Sequence, residues 1–121
     1  MKRIITLIIV LIVGIINLTA KERILTGKVG GKYQITVVID LDKTGPVSGT
    51  YWYGSGKNGK MKLKGTIDFL GRINLTEYDP NGKKTGDWYI NITNEKNNKY
   101  GITGIMMNKK DQVFNINCIE K

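Results

Sequence analysis

Two stretches decide the fold: KYQITVVIDL at residues 32–41 and MKLKGTIDFL at residues 61–70. In the first, Tyr33, Ile35, Val37, Ile39 and Leu41 share one side of an extended chain, opposite Lys32, Gln34, Thr36 and Asp40. In the second, Met61, Leu63, Gly65, Ile67 and Phe69 oppose Lys62, Lys64, Thr66 and Asp68. Successive strand side chains point to opposite faces, so this spacing makes one apolar face and one wet face. Weaker runs of the same kind cover 24–29, 47–53, 72–78, 85–93, 100–107 and 112–119.

Turn signals separate every pair of runs. Gly30-Gly31 tolerates positive φ at both positions, as a tight hairpin requires. Lys43-Thr44-Gly45-Pro46, the glycine-rich 54–59, Gly71, Asp79-Pro80-Asn81-Gly82, Asn94 to Asn98 and Asn108 to Asp111 follow. Short connections joining neighbours predict an all-β, eight-stranded antiparallel up-and-down meander. Such a meander exposes two edges unless it closes, and closure into a barrel removes both. Gly27, Gly49, Gly65, Gly86 and Gly104 each stand two residues before Val29, Tyr51, Ile67, Trp88 and Met106 on the same face. Glycine on a concave face lets a strand bend, which favours the barrel over the alternative, a flattened sandwich.

The segments MKLKGTI, INLTEYD and GKKTGDW (61–67, 73–79 and 82–88) resemble small secreted bacterial proteins of no established activity. The Gly-x-aromatic strand starts are similar to those of avidin and lipocalin barrels, the calycin group. That resemblance implies a calycin-like barrel with a binding role and transfers no functional residue.

Residues 1–20 read as a secretory signal peptide: Lys2 and Arg3, an uncharged run from Ile4 to Ile16, then Asn17-Leu18-Thr19-Ala20 before charged Lys21. An uncleaved inner-membrane anchor is the competing reading, because the run is barely long enough to cross about 30 Å of hydrocarbon. The domain expected to fold is therefore 21–121, exported to the periplasm or secreted, and monomeric.

The whole chain has 121 residues and carries +9, from 19 Lys and Arg against 10 Asp and Glu. With no histidine and one cysteine, it excludes histidine-based acid–base chemistry, an intrachain disulfide and the usual zinc clusters. Gly54-Ser-Gly56-Lys-Asn-Gly59-Lys60 imitates a phosphate loop, but Met61 replaces the hydroxyl residue and a strand replaces the helix, so this is a hairpin loop. Cys118 shares a face with Phe114 and Ile116 and reads as a small buried hydrophobe. No metal, no cofactor and no enzymatic activity is expected.

Two candidate sites remain. Successive turns of a meander alternate between the ends of a barrel, so one rim collects Lys28, Lys32, Lys57, Lys60, Lys83, Lys84, Lys109 and Lys110 against only Asp79 and Asp111, a net +6. The opposite end carries +3. Lys57, Lys60, Lys83, Lys84, Lys109 and Lys110 would attract anionic polymers or lipid headgroups, and an apolar outer patch of Ile105, Met107 and Val113 stands beside Lys109 and Lys110. The second candidate is the interior around Glu77, Tyr51 and Trp88. Ile73, Leu75 and Glu77 share a face, so Glu77 points inward. There it either meets a cationic or hydroxyl-bearing ligand, acts as a general base, or bonds buried tyrosine hydroxyls. Tyr33, Tyr51, Tyr53, Phe69, Trp88 and Phe114 are expected to fill much of the interior, which favours the rim.

The reading is a non-enzymatic envelope protein that contacts anionic surface polymers or lipids through its lysine rim. The alternatives are an inhibitor of an envelope-attacking enzyme such as lysozyme, and a carrier of a small apolar ligand. Ser48-Gly49-Thr50-Tyr51-Trp52 is only similar to the element such inhibitors use, and their cationic target would be repelled. Sequence-specific nucleic-acid binding is not expected, since arginine is scarce and no stacking platform is evident.

Overall fold

The computed structural model describes residues 22–94 and 96–121; the leader expected over 1–20 lies outside them. The strands are β1 (Arg23–Val29), β2 (Tyr33–Ile39), β3 (Gly45–Tyr53), β4 (Met61–Ile67), β5 (Arg72–Tyr78), β6 (Lys84–Asn94), β7 (Tyr100–Asn108) and β8 (Val113–Glu120). A short 3-10 turn, Lys96–Asn98, lies between β6 and β7. Each strand pairs antiparallel with the next, and β8 returns to β1 from Leu25↔Glu120 to Val29↔Ile116. The result is a closed eight-stranded up-and-down barrel, not a sandwich, compatible with a calycin-like architecture.

The inner face is the alternating apolar set read from the sequence. Leu25, Ile35, Val37, Ile39, Leu63, Ile73, Ile102 and Ile116 are all buried. The strand glycines sit where the sheet coils most tightly: a Cβ on Gly27, Gly65, Gly86 or Gly104 would collide with the partner-strand carbonyl of Asn117, Asn74, Met107 or Tyr89 respectively. Closing so few strands forces that curvature, and only hydrogen fits there.

One expectation fails at the end of β4. The alternation in 61–70 suggests a strand through Phe69, but β4 stops at Ile67 and Phe69 is 84% exposed. Asp68 is the cause. Its Oδ1 accepts the backbone N–H groups of Leu70 and Arg72, both at 2.9 Å, and Gly71 takes a φ of 81°. A side-chain acceptor two and four residues upstream closes the turn before the pleat can continue. Asp79 and Asn108 make the same contacts in the β5–β6 and β7–β8 turns.

The end holding the β2–β3, β4–β5 and β6–β7 turns is tied across by Arg23. Nη1 reaches Glu120 at 2.8 Å, Nη2 reaches Asp42 at 3.0 Å, and the guanidinium lies 4.2 Å from the Tyr100 ring centroid. The Tyr100 backbone N–H and then Arg23 hold the Glu120 carboxyl below its ordinary range. These contacts join β1, β7, β8 and the segment after β2, which leaves the other end to open.

Replacing Gly65 by Ala tests whether closure depends on close approach. The added methyl would meet the Asn74 carbonyl, an overpacking that costs about 1–3 kcal/mol. Calorimetry should show a melting temperature lowered by about 5 °C or more. An unchanged melting temperature would mean the sheet uncurls there at no cost.

Candidate ligand cup and basic rim

The opposite end is hollow. A cavity of about 410 Å³ is lined by Val29, Tyr33, Tyr51, Tyr53, Met61, Glu77, Met106, Asn108 and Phe114. These residues lie near the strand ends that meet at the first, third, fifth and seventh turns. The expectation that six aromatic side chains fill the interior is therefore corrected. Tyr51 and Trp88 are fully buried, but Tyr33 is 53% and Tyr53 41% exposed, Phe114 is half-buried, and Phe69 stands outside at the far end. The uppermost ring of side chains has no layer above it, so it forms the wall of a cup.

Glu77, only 6% exposed, sits in that wall. Its Oε1 accepts the Tyr51 hydroxyl at 2.7 Å and the Trp88 indole N–H at 2.9 Å, while Oε2 accepts the Thr85 hydroxyl at 2.6 Å. The inward carboxylate does what the tyrosine-bonding alternative expects, and it also faces the cup. Burial first, and then the Glu77 charge, push the Tyr51 phenol far above its ordinary range. Tyr53 is raised by burial as well, partly offset by its hydrogen bond with Tyr51, and the two rings meet edge-on at 5.5 Å. Tyr51 and Trp88 are in ring contact at 4.8 Å.

Thr85 is the functional residue that the sequence reading missed. The register passes from Glu77↔Gly86 to Tyr78↔Lys84, leaving Thr85 as the extra residue of a β-bulge. A bulge re-aims one side chain, and here it carries a hydroxyl to Glu77. The signal was the glycine just after it inside a strand, Thr85-Gly86.

The structure brings Glu77, Tyr51 and Trp88 together and sets the lysines around them. Lys57, Lys60, Lys83, Lys84, Lys109 and Lys110 are all exposed on the turns at the cup's end. Lys60 Nζ lies 4.5 Å from the Trp52 ring centroid on the outer wall, and Lys84 Nζ is 3.4 Å from Asp87. Lys32 Nζ lies 5.3 Å from the ring centroid of Tyr33, a cup residue. Among the described residues, Lys57, Lys83, Lys109 and Lys110 make no ion pair, and neither does Glu77. On the outside, Val113 is 52% exposed beside half-buried Met107, its cross-strand neighbour, with Ile105 next along β7.

No family model, no curated protein and no solved structure matches this chain. The site's meaning therefore rests on its own chemistry. Among the described residues no group of three metal-ligating side chains exists. Gly54, Gly56 and Gly59 take positive φ in the β3–β4 turn, so the phosphate-loop lookalike is a hairpin loop. Glu77 is paired with neutral donors alone.

Removing that acceptor should be costly. In Glu77→Ala, the Tyr51, Thr85 and Trp88 donors lose their partner, at about 3 kcal/mol or more in denaturant unfolding, while Glu77→Gln keeps an acceptor and costs less. Equal losses would mean that the carboxylate contributes packing alone. Cys118 gives a second check. Burial pushes its thiol up to about 12. Since the thiolate is the reactive form, the native protein should resist alkylation at about pH 8 and react once unfolded.

Proposed function

We propose that this protein is a non-catalytic binding barrel of the cell envelope that takes a compact amphiphile. The apolar body enters the cup and the anionic group rests among the rim lysines. One observation carries this reading: the cavity with an apolar lining, beside Val29, Tyr51, Met61 and Phe114, opens between the lysine-bearing turns, whereas the depression at the far end is walled by Arg23, Asn94, Asn98, Lys99 and Tyr100. Its volume of about 410 Å³ lies within the roughly 300–1,000 Å³ of small-molecule sites.

The reading joins what the sequence left as separate expectations. An anionic headgroup drawn to the rim and an apolar ligand held in the barrel become two ends of one molecule, free or presented by an anionic lipid surface. The leader read over residues 1–20 supports export to the periplasm or outside the cell. Glu77, which among the described residues is bonded by the neutral Tyr51, Thr85 and Trp88 donors and makes no ion pair, supports binding over catalysis. Nothing in the site favours a lysozyme inhibitor.

Anilinonaphthalene sulfonate, an aromatic body with one anionic group, is a direct probe. Its fluorescence should rise to a single saturable site on the full chain, and affinity should weaken as salt screens the rim. Replacing Lys83, Lys84, Lys109 and Lys110 by Gln should weaken binding about tenfold at low salt. Binding indifferent both to salt and to these four changes would remove the rim from the function.

A further inference from the structure

We infer that the inward end of the ligand carries one neutral hydrogen-bond donor, a hydroxyl or a single N–H, which Glu77 accepts. This rests on the cup reading above and names the chemistry that the cup selects.

The argument begins with acceptor positions. An ionised carboxylate offers about four lone-pair positions over its two oxygens. Oε1 uses two on Tyr51 and Trp88, and Oε2 uses one on Thr85. One position on Oε2 is left, on a side chain that lines the cup. The same bonds remove the protons that could serve an acceptor. The Tyr51 hydroxyl, the Thr85 hydroxyl and the Trp88 N–H are all directed at Glu77. A carbonyl or carboxylate arriving beside Glu77 would find these three protons already committed and would face a like-charged group, so the position next to Oε2 disfavours acceptors.

A cation fits less well than a single donor, although Glu77 makes no ion pair among the described residues. An ammonium brings three donors to one free carboxylate position, and its other two protons would have only the neutral Tyr33, Tyr53 and Asn108 oxygens among Val29, Met61 and Met106. It would also have to pass the lysine rim. A hydroxyl or ring N–H brings one proton to one acceptor, and the edges of Tyr51, Tyr53 and Phe114 suit a flat ring behind it. The ligand is thereby oriented with its donor inward and its anion outward. That polarity would let the protein choose among anionic amphiphiles of equal size.

The test is calorimetric titration of the full chain with phenylpropionate, para-hydroxyphenylpropionate, para-carboxyphenylpropionate and para-(aminomethyl)phenylpropionate. The hydroxyl compound should bind about tenfold or more tighter than the plain one, as a hydrogen bond to a charged acceptor allows, and the carboxyl compound more weakly than either. A gain from the hydroxyl below about twofold, or tightest binding by the ammonium compound, overturns the inference while leaving the cup reading intact. If none binds, the cup reading falls and takes the inference with it. Glu77→Gln should reduce the hydroxyl preference to about threefold or less while phenylpropionate still binds. Should that variant fail to fold, intermolecular NOEs on the native chain decide the orientation. Contacts from the ring's para end to Thr85 or Tyr51 support it, and contacts from the carboxylate end to those residues overturn it.

Discussion

A single buried carboxylate organises the open half of this barrel. Glu77 on β5 is bonded by Tyr51 from β3, by Trp88 from β6 and by Thr85 from the bulge that begins β6. Burying a charge is expensive unless donors surround it, and these three supply that compensation without a counter-ion. They also hold the largest aromatic side chains of the core in fixed places, since Tyr51 and Trp88 are each committed at one polar atom and packed against each other. Tyr51 and Glu77 are thereby fixed in the wall of the cup, with buried Trp88 packed against Tyr51.

The two ends of the barrel differ in how they treat charge. At the far end, Arg23 spends its positive charge on Asp42 and Glu120 while stacking on Tyr100, so charge serves closure. At the cup, Lys57, Lys83, Lys109 and Lys110 are unpaired among the described residues and exposed, so their field reaches outward. An up-and-down meander makes this division simple. Alternate turns go to alternate ends, and each hairpin can be assigned its own chemistry without altering the sheet.

Much of this was legible in the chain. The alternation in 32–41, the turn signals and the inward glycines led to eight strands and a closed barrel, and to the inner face on which Glu77, Tyr51 and Trp88 lie. Phe69 was misread because alternation registers which side a residue would occupy if the strand continued, and Asp68 ends the strand through local bonds that periodicity does not register. Thr85 was missed for a related reason. A bulge shifts one residue out of alternation, and its effect depends on which strand lies opposite.

The sequence by itself determined the faces, the turns and the excess of lysines at one rim, because all three follow from spacing along a single strand or hairpin. Only the tertiary structure decided whether the barrel is filled or hollow. Volume is a sum over all eight strands, so the same six aromatic residues could have met at the axis or lined a wall. It also decided that Glu77 meets three neutral donors in the wall of the cup. That outcome depends on Tyr51, Trp88 and Thr85 arriving from other strands at hydrogen-bonding distance, which no local pattern encodes.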